Sequence, residues 1–79
     1  MPLTPLQRKA AFVAKATERD ETLAAAAKAL GVTWHHLNEG LLGVRPLSLD
    51  VQKAVATYTG LSLERLNFPK KTGRRAVAV

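Results

Sequence analysis

The chain has 79 residues, 47% of them hydrophobic but only 5% aromatic, with a formal net charge of +6 and no cysteine. That length supports one small core rather than a core plus a lined catalytic cleft. The lack of cysteine excludes a disulfide frame and a thiolate zinc site, and no apolar run approaches the roughly 18 residues of a membrane span.

A basic balance favours polyanionic partners, and the charge is unevenly spread. Residues 70–79 hold Lys70, Lys71, Arg74 and Arg75 with no acid, which leaves eight bases against six acids in residues 1–69. We expect one helical domain over residues 1–69 and a short basic tail over 70–79. The amino-terminal residues carry no charged segment followed by an apolar signal core, so a cytoplasmic protein is expected.

Thr4-Pro5-Leu6-Gln7 is a helix start, because Thr4 can accept from the backbone of Gln7, Gln7 can reach back, and Pro5 has no N–H to leave unpaired at the first helical position. The first helix is predicted from about Pro5 to about Glu18. A 3.6-residue wheel places Leu6, Ala10, Phe12, Val13, Ala16 and Thr17 on one arc facing the core, with Arg8 and Lys15 away from it. Glu18-Arg19-Asp20-Glu21 breaks that pattern. Thr22 caps a second helix of about Leu23 to Leu30, whose alanines permit close packing at Ala27. Gly31 can take the left-handed conformation that ends it.

Thr33 caps the third helix, which begins at Trp34 with Leu37 and Leu41 inward and Gly40 as a weak point. Gly43-Val44-Arg45-Pro46 reads as a loop. Ser48 caps the fourth helix, with Asp50 in its first turn and Val51, Ala54, Val55 and Tyr58 as its buried face, and Gly60 ends it. Ser62 caps a last short helix from Leu63 to about Asn67, with Leu63, Leu66 and Phe68 as apolar contacts, and Pro69 stops it.

The ordered series Thr22, Ala27, Gly31-Val32-Thr33, Leu37, Gly43, Ser48 and Gly60-Leu61-Ser62 resembles the lambda-repressor-like (Cro/repressor, XRE-type) helix-turn-helix domains. The resemblance covers Thr22 to Leu66, about 45 of the 79 residues. It implies an all-α, five-helix domain, and a sequence-specific regulator that reads double-stranded DNA as a dimer on an inverted repeat. A small Cro-like or phage or mobile-element repressor fits that implication.

Within the third helix, Trp34, His35, Asn38 and Glu39 are expected around the face opposite Leu37 and Leu41, with His36 at its edge. Asn38 can pair with adenine N6 and N7, Glu39 can accept from cytosine N4, His35 can donate to guanine, and Trp34 can lie on a thymine methyl. The plainer alternative is a solvated polar face, with Trp34 packed over the core edge. Thr22 and Ser48, as caps of the second and fourth helices, mark amino ends whose N–H groups can meet phosphates, and Thr33, which starts the third helix, is a further candidate DNA contact. Lys28 and Arg45 are candidates for phosphate contact, and Lys70, Lys71, Arg74 and Arg75 for tracking the backbone or entering the minor groove.

His35 and Glu39 stand one turn apart and offer half a metal site. With two histidines and no cysteine in the chain, a third convergent ligand is missing, and neither metal, cofactor nor enzymatic activity is expected. The alternative to DNA readout is an antitoxin or protein-interaction module that keeps the fold. Leu23, Gly40, Leu42 and Glu39 favour it, and Trp34, Leu41 and Leu42 would then form an exposed apolar patch for a protein partner.

Overall fold

A computed structural model describes residues 2–69, and they form five helices: α1 (Pro5–Glu18), α2 (Leu23–Ala29), α3 (Trp34–Leu41), α4 (Leu49–Thr59) and α5 (Leu63–Leu66). Each begins at a hydroxyl cap, Thr4, Thr22, Thr33, Ser48 and Ser62, whose side chain accepts from the third residue of its helix. Each hydroxyl thus satisfies one amide that the helix itself cannot pair. Thr4 and Gln7 complete the reciprocal capping box.

The carboxyl ends are as regular. After α2, Gly31 at φ 84° lets its own N–H reach Lys28 O and that of Val32 reach Ala27 O. After α3, Gly43 at φ 79° does the same, with Val44 donating to Glu39 O. Asp20 takes the left-handed role after α1, at φ 56°, and sends the Glu21 N–H to Ala16 O. The paired bonds close each helix and turn the chain sharply into the next cap.

α1 packs against α2, α3 and α4, while α2 packs on α3 and α5 on α4. The core they enclose contains Phe12, Ala16, Ala26, Ala27, Leu37, Leu41, Leu47, Val55, Tyr58 and Leu66. Phe12 lies at its centre, with its ring 4.9 Å from that of Tyr58 and 6.1 Å from that of Trp34. Ala26 and Ala27 are both fully buried, which lets α2 approach its neighbours closely.

The inner face of α1 differs from the wheel expectation. Arg8, Phe12 and Ala16 are buried, whereas Leu6 is 73% exposed and Ala10 and Thr17 are also exposed. Arg8 turns inward because three backbone carbonyls need its donors. Nε donates to Leu41 O at 2.7 Å, and Nη1 to Leu66 O at 3.0 Å and Asn67 O at 2.7 Å. These oxygens belong to the ends of α3 and α5, where the helix dipole concentrates partial negative charge. The guanidinium also lies over the Phe68 ring, 4.9 Å from its centroid. Burial pushes its pKa below the ordinary arginine range, and among the described residues no carboxylate accompanies it.

Gly40 is not a point of fraying, since α3 continues through it to Leu41. It is buried, and a Cβ there would run into the Leu47 side chain. Leu47, from the loop before α4, therefore occupies the space a larger side chain would need.

Candidate nucleic-acid interface

The residues singled out on α3 are positioned by the turn before them and by the core behind them. The two bonds around Gly31 fix the path out of α2, and Thr33 Oγ1 accepts from His36 N at 3.1 Å to start α3. Leu37, Gly40 and Leu41 then seal the inner side. What remains outward is polar: His35, Asn38 and Glu39, with His36 at the margin.

His35 stands fully forward, its side chain 83% exposed. Glu39, one turn further on, is only 23% exposed, because Arg45 reaches back over it and donates from Nε to Oε1 at 2.7 Å. His35 Nε2 lies 3.6 Å from the other carboxylate oxygen. Arg45 thus joins His35 and Glu39, which the sequence already set one turn apart, in one cluster.

Asn38 is half-buried, and its Oδ1 is covered without a hydrogen-bond partner. Its oxygen is therefore committed to no hydrogen-bond partner among the described residues. Lys28 and His36 share a second locality. With Gly31, Val32 and Thr33 they line an open concavity of about 510 Å³ where α2 meets α3. Thr22 is exposed at the far end of α2, about 10 Å of helix from that turn, with its hydroxyl accepting from Ala25 N.

Trp34 departs from the outward arrangement. It is half-buried and stacks on Phe12, packed against the core as the plainer reading had it. Leu41 is fully buried, so the apolar patch of Trp34, Leu41 and Leu42 expected for a protein-interaction module does not form. Lys70, Lys71, Arg74 and Arg75 lie outside the described residues.

Two residues shape this surface without having been singled out for it. Arg8 holds the last carbonyl of α3 from the inside, and no local sequence signal marks it. Val44 donates its N–H to Glu39 O and is 72% exposed beside the cluster. The pairing of Glu39 with Arg45 did have a signal, opposite charges on either side of a glycine turn.

No family model, curated protein or solved structure matches the chain. Among the described residues no helix is long and apolar enough to cross a membrane, and no group of three or more histidine, aspartate or glutamate side chains gathers as metal ligands would.

Proposed function

We propose that this protein is a sequence-specific, double-stranded DNA-binding transcriptional regulator of the cytoplasm, with its five helices arranged as a lambda-repressor-like helix-turn-helix domain. In this reading α3 lies in the major groove and α2 braces it across the backbone. The observation that carries it is the contrast on α3 itself: an inner side sealed by Leu37, Gly40 and Leu41, and an outer side of hydrogen-bonding groups with little apolar surface. A helix held rigidly from behind loses little freedom when its polar face meets base edges.

In this reading His35 and Asn38 meet donors and acceptors on base edges. Lys28, beside the Gly31 turn, carries a charge suited to a phosphate, and the capped amino end of α3 adds its unpaired N–H groups. The basic residues of the tail add sequence-independent attraction. Two copies on an inverted repeat would place their recognition helices about one helical turn apart, roughly 34 Å.

Selection of bound fragments from random duplex DNA at near-physiological salt, followed by sequencing, tests this. The expected result is an enriched inverted repeat with half-sites about one helical turn apart. Salt-sensitive bulk binding with no enriched sequence would overturn it.

A further inference from the structure

We infer that Arg45 is a positioning residue for Glu39, and that the pair reads a cytosine at one position of each half-site; this rests on the DNA-binding reading above. Glu39 lies one turn after the highly exposed His35 on the outward line of α3. An isolated carboxylate there would face DNA phosphates and be repelled by them. It is not isolated. Arg45 Nε bonds Glu39 Oε1 at 2.7 Å, and the loop's main chain is folded onto the same residue, with Val44 N 2.9 Å and Arg45 N 3.3 Å from Glu39 O. Pro46 restricts the backbone of Arg45 from the other side. The guanidinium is therefore held near the carboxylate by the loop as well as by the ion pair.

The pairing removes the net charge and leaves one oxygen available. Oε1 is taken by Arg45, whereas Oε2 accepts no hydrogen bond among the described residues, and His35 Nε2, at 3.6 Å, lies beyond good hydrogen-bond distance. A carboxylate oxygen accepts and cannot donate. In the major groove guanine presents N7 and O6 and thymine presents O4, all acceptors that would oppose it. Adenine offers its N6 amino group beside the N7 acceptor. Cytosine N4 is a donor without an adjacent acceptor on its own major-groove edge. The oriented Oε2 therefore excludes guanine and thymine and favours cytosine, whose N4 has an acceptor on one side only, over adenine, whose N6 lies between N7 and thymine O4; Arg45 contributes to the choice of base through Glu39 instead of through a phosphate.

The test is the same selection from random duplex DNA, run with the full chain and with Glu39→Ala, Arg45→Met, Arg45→Lys and the Glu39→Ala/Arg45→Met pair. Arg45 is exposed and Glu39 partly so, and thermal melts of each variant establish that the fold is retained. The parent is expected to fix one cytosine per half-site. Glu39→Ala and Arg45→Met should each relax that position by about fivefold or more while the others persist. The double variant should relax it no further than Glu39→Ala alone, as for residues acting in one unit, and Arg45→Lys should keep part of the preference.

Retention of the cytosine by Arg45→Met, with weaker binding to all sequences and a smaller salt slope, would overturn the inference and make Arg45 a phosphate contact. So would an enriched site with no fixed cytosine, or an unchanged preference in Glu39→Ala, with the DNA-binding reading left standing. No enrichment by the parent would remove both.

Discussion

On its inner side α3 meets Leu47 across Gly40 with no room for a methyl group, and it passes the carbonyl of Leu41 to a buried arginine. On its outer side His35 stands in solvent, Glu39 is partly covered by Arg45, and Asn38 sits half-buried at the flank. The difference separates what holds the helix from what the helix offers. Inside, close packing and buried hydrogen bonds hold the helix, so a change in shape there is felt by its neighbours. Outside, ion pairs between exposed groups contribute little to stability, so their identity is free to serve a partner. Substitutions on the two sides should therefore separate cleanly into losses of folding and losses of binding.

The largest effect is expected at Arg8. Arg8→Ala removes the donor from the buried carbonyls of Leu41 and Leu66 and the part-buried carbonyl of Asn67, at about 1–3 kcal/mol for each buried acceptor that finds no water, so a total of about 2–6 kcal/mol. A chemical denaturation curve should show that loss, and for a small domain it removes much of the total stability. Arg8→Lys should recover only part, since an ammonium cannot reproduce the planar fork. A melt unchanged in Arg8→Ala would break the comparison at its strongest point.

Gly40 gives a test of opposite sign to intuition. Alanine is the better helix former by about 1 kcal/mol, yet Gly40→Ala drives a Cβ into the Leu47 side chain. Overpacking of that kind costs about 1–3 kcal/mol. The variant should melt below the parent, and one that melts above it would show that Leu47 yields freely.

Asn38→Ala should act on binding alone. Its Oδ1 has no partner to lose, so stability should stay within about 0.5 kcal/mol. Discrimination at one base position should fall by about 1–3 kcal/mol, as read from competition between selected and single-substituted duplexes. Equal weakening toward every sequence would mean that Asn38 reads no base.

The smallest effect concerns the corner leading into α2. The Tyr58 hydroxyl donates to Glu21, and Arg19 lies over the Tyr58 ring at 4.7 Å. Burial, followed by the hydrogen bond and charge of Glu21, raises the Tyr58 pKa above its ordinary value, against an opposing pull from Arg19. The native state thus holds this proton more tightly than the unfolded chain. Its stabilising contribution is complete below pH of about 10 and is lost as pH rises through the higher native value. Tyr58→Phe should cost about 1–2 kcal/mol and should reduce the alkaline fall in stability. The same fall in the variant would assign it to other groups.

The helix framework was legible because its signals are local. Thr4 with Gln7, and Thr22, Thr33, Ser48 and Ser62, each sit within three residues of the amide they satisfy. Gly31, Gly43 and Gly60 all take positive φ where the apolar pattern stops. What was not legible depends on segments far apart in the chain. Arg8 turns inward for carbonyls 33, 58 and 59 residues away, and a helical wheel sees only its charge. Gly40 looked weak because the residue that fills its space, Leu47, lies across a loop.

The same holds at the site. The outward placement of His35, Asn38 and Glu39 follows from helical periodicity around Leu37 and Leu41. The inward turn of Trp34 needed the ring of Phe12 from another helix. The engagement of Arg45 by Glu39 spans six residues across a glycine turn, within reach of a sequence argument that weighed charges on both sides of that turn.

The most direct test of the central claim is a titration of the isotope-labelled protein with its selected duplex, followed by amide chemical shifts. The account predicts that the largest changes fall on residues 33–39, with Lys28 and Arg45, and that the amides of α5 stay near their free positions. Largest changes on α5 or the exposed side of α1, with residues 33–39 unmoved, would contradict it.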